Sequence, residues 1–321
     1  MSRPRVILTR RWPEACERLL AKSCDLIVNA DDHPMPREEL QQALRDCDAL
    51  GATVTDQIDD EMLSDASLRA GMIGNFGVGF NNIDVEAARR LGVRVSNTPG
   101  VLTEATADLA MMLILMCARR AGEGERLLRA GRWPGWSPTS LLGADVHGAT
   151  LGIVGMGRIG AALAQRAHHG FGMEIFYHNR SGTSAQAHAL GARARPLDAL
   201  LADTDFVSLN CPSSPATHHL INADRLSLMR SSAFLVNTAR GDVVDESALA
   251  QALREGTIAG AGLDVYEQEP VVHAELMTLE NVVLLPHQGS GTTATREAMG
   301  RMAAQNILAY LDGQDLPNRV V

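Results

Sequence analysis

The chain has 321 residues, of which 45% are hydrophobic and 21% are charged. This length is enough for a sizeable core, and more than one core usually forms in a chain of this size. The formal net charge of −9 argues against a nucleic acid or an anionic membrane surface as the main partner.

The first part of the chain alternates short β-branched runs with helical patterns. Strand candidates lie at 6–10, 25–29, 48–53, 72–77 and 93–97, and helical stretches lie at 13–22 and 37–46, with proline at or near their starts. Continuous apolar strands separated by helices predict a parallel sheet that is covered on both faces. No apolar segment precedes the first strand, so we expect no signal peptide.

Two irregular segments interrupt this alternation. The first, 96–110, includes Thr103, which can cap the apolar helix expected at 103–120. Asp108 interrupts this apolar stretch, and its uninterrupted part is too short to span a bilayer, so we expect a buried helix and no membrane partner. The second break, 130–148, is rich in glycine, proline and tryptophan and has little periodicity.

After the second break the alternation restarts and continues to a closing helix. The strand candidates are 150–155, 173–178, 206–210, 233–238, 258–265 and 282–287, and the helix covers 293–313. The pattern therefore predicts an α/β protein with two doubly wound units. We expect the second unit to be interposed in the first, with the closing helix packing back on the first unit.

The cysteines give a further constraint. They are five in number, none forms a CxxC pair, and they are scattered along the chain at Cys16, Cys24, Cys47, Cys117 and Cys211. This usage argues against a disulfide framework and against a zinc site. We therefore expect a reducing compartment, the cytoplasm, and no bound metal.

A glycine-rich turn follows the first predicted strand of the second unit. Gly155, Gly157 and Gly160 have the GxGxxG spacing, which gains meaning because it follows a strand and opens a helix. The first glycine permits a tight turn, the second lets the backbone approach a pyrophosphate, and the third lets helix and strand pack closely. The amides of Arg158 and Ile159 would then face the pyrophosphate. The alternative is a glycine-rich turn without a ligand.

The residues after the next strand indicate which dinucleotide binds. An NAD site usually places Asp or Glu there, about 20 residues on, to hold the ribose diol. This chain has His178, Asn179, Arg180 and Ser181 instead. Because Arg180 can stack on adenine and pair with a 2′-phosphate, we predict that NADP(H) is preferred and that NAD(H) is possible. The alternative is that Arg180 is a solvated surface arginine.

Polar groups follow three later strands of the second unit, where ligands of open parallel sheets bind. Arg240 can hold the carboxylate of a 2-oxo acid and polarise its carbonyl group. His287 can donate a proton to the developing alkoxide, and Glu269 can keep that imidazole charged and oriented. Each residue alone fits a structural role, but together with Asp264 they predict carbonyl–alcohol interconversion by hydride transfer.

These motifs resemble the D-isomer-specific 2-hydroxyacid dehydrogenases over essentially the whole chain. The matching stretches are 77–110, 151–160, 207–221, 235–249, 259–270 and 284–290. Within the family the chain most resembles the glyoxylate/hydroxypyruvate reductase branch, through 53–59, 97–108 and 135–143. The resemblance implies two Rossmann-like domains. A coenzyme domain at 100–291 is inserted into a discontinuous, flavodoxin-like substrate domain at 1–99 plus 292–321.

The resemblance also implies roles for single residues. Arg240 corresponds to the substrate-binding arginine, Glu269 to the acid that pairs with the histidine, and His287 to the proton donor. The backbone amides of Val78 and Gly79 are expected to bind the substrate carboxylate. The other expected cofactor contacts are Thr106, Cys211, Pro212, Thr217, Thr238, Ala239 and Asp264, the last with the nicotinamide carboxamide.

A quaternary arrangement follows from the same resemblance. The family forms homodimers, which implies that the helix at 103–120 is apolar because it lies in the dimer interface. Substrate is expected between the two domains, with a hinge near 98–102 and 289–293. The loop with Trp133 and Trp136 either reaches the partner's active site or packs the linker.

The leading hypothesis is an NADP(H)-dependent reductase of small 2-oxo acids, with glyoxylate and hydroxypyruvate first. The same residues fit 2-ketogluconate or another D-2-hydroxyacid, since only pocket size separates these substrates. A formate dehydrogenase-like oxidation is disfavoured because Glu269 stands where that relative typically has glutamine. A dinucleotide-sensing corepressor is an alternative of a different class, although this chain lacks an added tail. One departure from the family is Gln288, where an apolar residue is more usual.

Overall fold

The computed structural model describes residues 3–180, 182 and 185–321. These residues form two compact units. The first unit is discontinuous and contains the chain up to Leu102 together with Ser290–Val321, and the second unit covers Thr103–Gly289. The predicted boundaries, at 99/100 and 291/292, differ slightly from this division. Thr103 is the first residue of a helix in the second unit, and the amide of Gly289 is still bonded to that unit through the carboxylate of Asp264.

The secondary structure follows the predicted alternation. The strands are β1 Arg5–Leu8, β2 Asp25–Val28, β3 Ala49–Thr53, β4 Met72–Phe76, β5 Arg94–Ser96, β6 Thr150–Val154, β7 Glu174–His178, β8 Arg193–Ala194, β9 Phe206–Leu209, β10 Phe234–Asn237, β11 Gly260–Leu263 and β12 Val282–Leu284. The helices are α1 Glu14–Ala21, α2 Arg37–Asp46, α3 Asp60–Leu63, α4 Val85–Leu91, α5 Thr103–Ala118, α6 Ala121–Arg129, α7 Arg158–Phe171, α8 Ala185–Ala189, α9 Leu197–Asp203, α10 Ala223–Leu228, α11 Glu246–Glu255 and α12 Thr293–Leu311. Short 3-10 helices cover Gly241–Val243 and Leu276–Thr278.

The first unit is built on a five-stranded parallel sheet with the order β2-β1-β3-β4-β5. This is the flavodoxin-like order that the resemblance implied. β4 is buried along its whole length because helices cover both faces of the sheet. The closing helix α12 packs on β4 at Gly74, where a Cβ atom would lie 2.8 Å from Cγ1 of Ile307.

The second unit contains a seven-stranded parallel sheet with the order β12-β11-β10-β9-β6-β7-β8. The strand order reverses between β6 and β9, so the crevice at their carboxyl ends is the topological switch point where ligands bind in such sheets. The fold class is therefore confirmed. Strand β12 is shorter than predicted because Pro286 cannot donate to a strand ladder and His287 has a left-handed φ of 51°.

Most of the apolar residues of α5 are buried within the second unit. Its buried residues are Thr106, Ala107, Ala110, Met111, Leu113, Ile114, Cys117 and Ala118. Against β11, a Cβ atom at Gly262 would lie only 3.0 Å from the sulfur of Cys117, so helix and strand are in close contact. The outer face of this helix is apolar as well, since Met112 is 38% exposed and Leu109 and Met116 are partly exposed, so the dimer interface at this helix stays a prediction.

The segment between α6 and β6 lies at the surface of the second unit. Trp136 is 82% exposed and Trp133 is 54% exposed, so within this chain neither indole packs the linker. In the part of the chain that the structure describes, no helix has the length and apolarity that crossing a membrane would require.

Candidate active site

The glycine-rich turn joins β6 to α7 as the sequence predicts. Gly155 has a left-handed φ of 99°, and a Cβ atom there would lie 2.7 Å from the backbone nitrogen of Cys211. A Cβ atom at Gly160 would lie 2.4 Å from the carbonyl oxygen of Gly155, so this glycine permits the close approach of helix and turn. Gly157 caps α7 and has open space beside it, which suits a bound pyrophosphate next to the amides of Arg158 and Ile159.

The end of β7 is tied to this turn by Asn179. Its Oδ1 accepts a hydrogen bond of 2.7 Å from the amide of Met156, and the amide of Gly155 donates to the carbonyl oxygen of His178 over 2.9 Å. The side-chain oxygen of Asn179 therefore holds the turn in place. Arg180 follows as an exposed side chain, and the predicted contact Ser181 lies outside the described residues.

The other expected cofactor contacts line the carboxyl edge of the same sheet. The Thr217 hydroxyl donates to the carbonyl oxygen of Pro212 over 2.8 Å, which closes the loop after β9. In that loop burial raises the pKa of the Cys211 thiol to about 11, so the thiol stays protonated near neutral pH. Across the sheet, Thr106 on α5 donates to the carbonyl oxygen of Gly289 over 3.2 Å.

Thr238 places a buried hydroxyl at this edge. Its side chain is only 9% exposed, and its buried hydroxyl has no hydrogen-bond partner among the described residues. Buried polar atoms are normally paired, so an orphaned hydroxyl at the carboxyl edge fits a polar group of a bound cofactor. Next to it, the amide of Ala239 is already bonded to the side-chain oxygen of Asn237 over 3.0 Å.

Arg240 lies near the start of the loop that follows β10, and both its backbone and its side chain are hydrogen-bonded there. Its carbonyl oxygen accepts from Nδ2 of Asn237 over 2.8 Å, and its Nη1 donates to the carbonyl oxygen of Ala239 over 2.7 Å. Burial lowers the pKa of the Arg240 guanidinium, while the charges of Glu269 and Asp242 act to raise it. Because arginine does not deprotonate in proteins, the site contains a half-buried permanent cation.

Glu269 and His287 form a direct pair. Oε2 of Glu269 lies 2.7 Å from Nδ1 of His287, and Oε1 accepts from the amide of Tyr266 over 3.0 Å. Burial alone would raise the pKa of Glu269. The hydrogen bond and charge of His287, the Tyr266 amide and the charge of Arg240 outweigh burial and lower this pKa below its ordinary value. Glu269 is therefore a carboxylate at neutral pH, and Nε2 of His287 is left to face a substrate.

Asp264 fixes the backbone that carries this histidine. It is 1% exposed, its Oδ1 accepts from the amide of Gln288 over 2.7 Å, and its Oδ2 accepts from the amide of Gly289 over 2.8 Å. The amide of His287 donates to the Asp264 carbonyl oxygen over 2.9 Å, which supports its left-handed φ of 51°. The sequence suggested a contact between Asp264 and the cofactor, but it did not reveal this positioning of the His287 loop.

Gln288 stands where the family more often has an apolar residue, and its side chain takes no part in the bond to Asp264. Only the backbone amide of Gln288 takes part in the bond to Asp264, and the side chain is exposed. Any side chain can supply that amide except proline. The structure therefore gives no reason why this position must be apolar.

Val78 and Gly79 belong to the first unit, directly after β4. Nδ2 of Asn97 donates to the carbonyl oxygen of Val78 over 2.8 Å, and Nδ2 of Asn75 donates to the carbonyl oxygen of Gly79 over 2.8 Å. These bonds occupy carbonyl oxygens, and no described residue accepts from the amide of Val78 or Gly79. The role of these two amides as ligands of the substrate carboxylate stays a prediction.

Comparison with known proteins decides the family. The family model for the D-isomer specific 2-hydroxyacid dehydrogenase NAD binding domain matches residues 111–289. A glyoxylate reductase from Thermococcus onnurineus is 47% identical, with 99% of this chain and 96% of the relative covered. The chain belongs to the D-isomer-specific 2-hydroxyacid dehydrogenase family. The predicted family and its glyoxylate reductase branch are thereby confirmed.

Solved structures agree with this membership of the D-isomer-specific 2-hydroxyacid dehydrogenases. A protein from Thermus thermophilus superimposes with a TM-score of 0.89 at 44% identity, covering 99% of this chain and 100% of the other. An NADPH-dependent glyoxylate/hydroxypyruvate reductase from Sinorhizobium meliloti, in complex with NADP and malonate, gives a TM-score of 0.86 at 33% identity over 100% and 97% of the two chains. The family accounts for the nicotinamide dinucleotide domain and for oxidoreductase activity on 2-oxo or 2-hydroxy acids.

Proposed function

We propose that the protein reduces small 2-oxo acids, glyoxylate and hydroxypyruvate first, to D-2-hydroxy acids with NADP(H). The observation that carries this proposal is the 2.7 Å pair of Glu269 and His287. The charge of Arg240 acts on the same carboxylate, so an anion-binding group lies close to a proton donor. This combination suits a substrate that has a carboxylate beside a ketone or aldehyde.

The residues divide the chemistry between them. When bound, the nicotinamide cofactor supplies or accepts the hydride at the carbonyl carbon. Arg240 binds the substrate carboxylate and polarises the carbonyl oxygen, on which negative charge develops. His287 donates its Nε2 proton to that oxygen, so hydride and proton together convert the carbonyl group to an alcohol. Glu269 keeps Nδ1 protonated and aims Nε2, and the amides of Val78 and Gly79 remain predicted carboxylate ligands.

Turnover measurements test this function directly. The purified protein is mixed with NADPH or NADH and with glyoxylate, hydroxypyruvate, pyruvate or 2-ketogluconate, and cofactor consumption is followed by its near-ultraviolet absorbance. We expect the highest kcat/KM for glyoxylate or hydroxypyruvate with NADPH. A preference for 2-ketogluconate would favour the larger sugar acid. If no 2-oxo acid is reduced with either cofactor, the reductase proposal is wrong and the dinucleotide-sensing alternative gains support.

Arg180 carries the proposed preference for NADP(H). It is exposed directly after the Asn179 bond to the glycine-rich turn, and residues 178–180 contain no carboxylate that would repel a 2′-phosphate. The Sinorhizobium meliloti protein, which is NADPH-dependent, was solved with NADP. We expect Arg180→Asp to lower kcat/KM for NADPH about 10- to 100-fold, because a charge-assisted bond to phosphate is replaced by repulsion.

The internal control for Arg180→Asp is the second cofactor. NADH lacks the 2′-phosphate, so its kcat/KM is expected to change by less than about 3-fold. Initial rates with each cofactor at saturating substrate measure both values on one preparation. Equal losses for NADPH and NADH would mean that Arg180 does not read the 2′-phosphate.

Glu269→Gln tests the charge of the acid that holds His287. The pKa of Glu269 lies below its ordinary value, so the group is a carboxylate at neutral pH, and its support of the imidazolium fades only as the pH falls through this lowered pKa. Glutamine keeps an oxygen but removes the charge. We expect kcat to fall about 10- to 100-fold and the alkaline limb of the kcat profile to move to lower pH. An unchanged pH profile would contradict this role.

We also propose a homodimer in the cytoplasm. Large apolar side chains are exposed on α6 and on the segment that follows it, namely Leu128, Trp133, Trp136 and Leu142. Apolar side chains mark an interaction surface where they form a contiguous patch, and we propose that these four lie in the dimer interface. All five cysteines are free, which suits a reducing compartment. Sedimentation velocity distinguishes the dimer from a monomer.

A further inference from the structure

Three loops meet beside Arg240 and Glu269 in the second unit. We define them as the β9 loop (210–220), the β10 loop (238–246) and the β11 loop (264–270). The β10 loop lies so close to the β11 loop that a Cβ atom at Gly241 would fall 1.8 Å from the carbonyl carbon of Tyr266. The β10 loop carries Arg240, the β11 loop carries Glu269, and the β9 loop carries expected cofactor contacts.

Glu267 lies at the junction of these loops. Its Oε1 contacts Nε2 of His219, which belongs to the β9 loop. Its backbone amide donates to Oε1 of Glu246 over 2.8 Å, and its Oε2 accepts from the Glu246 amide over 3.4 Å. Glu267 thus bonds to the β9 and β10 loops at once, while Glu269, two residues further along the same turn, holds His287.

His219 reaches Glu267 from a costly backbone conformation. Its φ is 48°, in the left-handed region that few residues other than glycine adopt. The His219 amide donates to the carbonyl oxygen of Asp242 over 2.8 Å, and its ring stacks on His218 with centroids 4.1 Å apart. Such a conformation persists only where its surroundings fix it, here through the bond to Asp242, and it aims the imidazole at Glu267.

Further charged groups surround the pair. Oδ2 of Asp245 lies 3.9 Å from Nδ1 of His219, so carboxylates face both ring nitrogens. Burial raises the pKa of Glu246, which lies behind Glu267. Nε2 of His273 is 3.4 Å from the Ser247 hydroxyl, at the start of α11. The His219 ring therefore lies between two carboxylates, and one of them, Glu267, belongs to the turn that carries Glu269.

We propose that His219 and Glu267 are a positioning pair that sets the placement of Glu269 toward His287. The inference rests on the function proposed above, in which His287 is the proton donor. The pair acts through Glu269 and not on the substrate, because it fastens the β11 loop to the β9 loop. Contacts of the cofactor with the β9 loop are thereby linked to the orientation of the proton donor.

The test compares His219→Gln, Glu267→Gln and the double variant with a matched control. His218→Gln is the control because His218 is the stacked neighbour of His219 and contacts no carboxylate among the described residues. We expect each single variant of the pair to lower kcat for glyoxylate about 10-fold and to leave KM within about 2-fold. The double variant is expected to lose no more than either single variant, since both remove the same contact. His218→Gln is expected to match the unchanged protein.

A second readout does not require turnover. The titration of the His287 ring is followed by NMR in the unliganded protein, with thermal unfolding as a check on folding. We expect the midpoint of the His287 titration to fall in His219→Gln and Glu267→Gln, because a displaced Glu269 stabilises the imidazolium less. In His218→Gln the midpoint is expected to stay unchanged. A merely structural role of the pair would lower the unfolding temperature without moving this titration.

The outcomes separate the two proposals. An unmoved His287 titration in both variants of the pair overturns the positioning role, whatever the activity. If the titration moves but the unchanged protein reduces no 2-oxo acid, the positioning stands as a structural fact and the proposed function fails. If His218→Gln shifts the titration as much as His219→Gln, the effect belongs to the loop as a whole and the specific pair is wrong.

Discussion

His287→Ala is expected to lower kcat about 100- to 10,000-fold, the usual contribution of a positioned general acid. The 2.7 Å bond from Glu269 to Nδ1 leaves Nε2 as the ring nitrogen that can reach a substrate. Alanine removes that proton source, so the alkoxide must be protonated by water. The binding of NADPH, measured by fluorescence titration, is expected to change by less than about 3-fold, because the glycine-rich turn is untouched.

The matched control for His287→Ala is His169→Ala. His169 is an exposed histidine near the end of α7, away from the carboxyl edge of the sheet. Its replacement is expected to leave kcat and KM unchanged within about 2-fold, as is usual for a surface position. If His287→Ala retained more than about a third of the original kcat, another group would have to be the proton donor.

Arg240→Ala is expected to lower kcat/KM for glyoxylate about 1,000-fold or more. The half-buried guanidinium supplies the charge for the substrate carboxylate and a donor for the carbonyl oxygen, and losing one such donor commonly costs about 100- to 1,000-fold in kcat. KM is expected to rise as well, since the carboxylate is bound in the ground state too. Steady-state kinetics with glyoxylate and saturating NADPH give both values.

Arg240→Lys separates charge from geometry at this position. Lysine keeps the positive charge but cannot bond a carboxylate in bidentate fashion, so we expect an activity between those of arginine and alanine. Arg254→Ala, at a surface arginine paired with Glu275 through a 2.5 Å contact, is the remote control and is expected to behave as the original protein. Equal activity of the lysine and arginine proteins would mean that only charge matters.

Local sequence patterns predict much of the fold. Apolar runs such as those of β4 and β10 become buried parallel strands because the helices between them cover both sheet faces. The GxGxxG spacing is likewise local, since it depends on the turn between one strand and one helix. The short strand β8 was not predicted, because a two-residue strand of exposed residues, Arg193 and Ala194, has no apolar pattern to reveal it.

The candidate site was predictable in its members but not in its bonds. Arg240, Glu269 and His287 stand out because each follows a strand whose carboxyl end faces the same edge of the sheet. The sequence does not show that both carboxylate oxygens of Asp264 accept hydrogen bonds from the loop that carries His287. Nor does it show that Asn179 accepts a hydrogen bond from the glycine-rich turn. Those bonds join residues that are 23 to 25 positions apart, so no local pattern encodes them.

His219 and His287, which both have left-handed backbone conformations, show the same difference between what the sequence reveals and what the fold decides. The sequence by itself determined the family, the fold class and the residue types of the site, because these follow from periodicity and from motif spacing. Only the tertiary structure decided that His219 meets Glu267 and that one face of α5 is buried within its own unit. Both results depend on contacts between segments distant in the chain, and such contacts form only when the packed sheet brings the segments together.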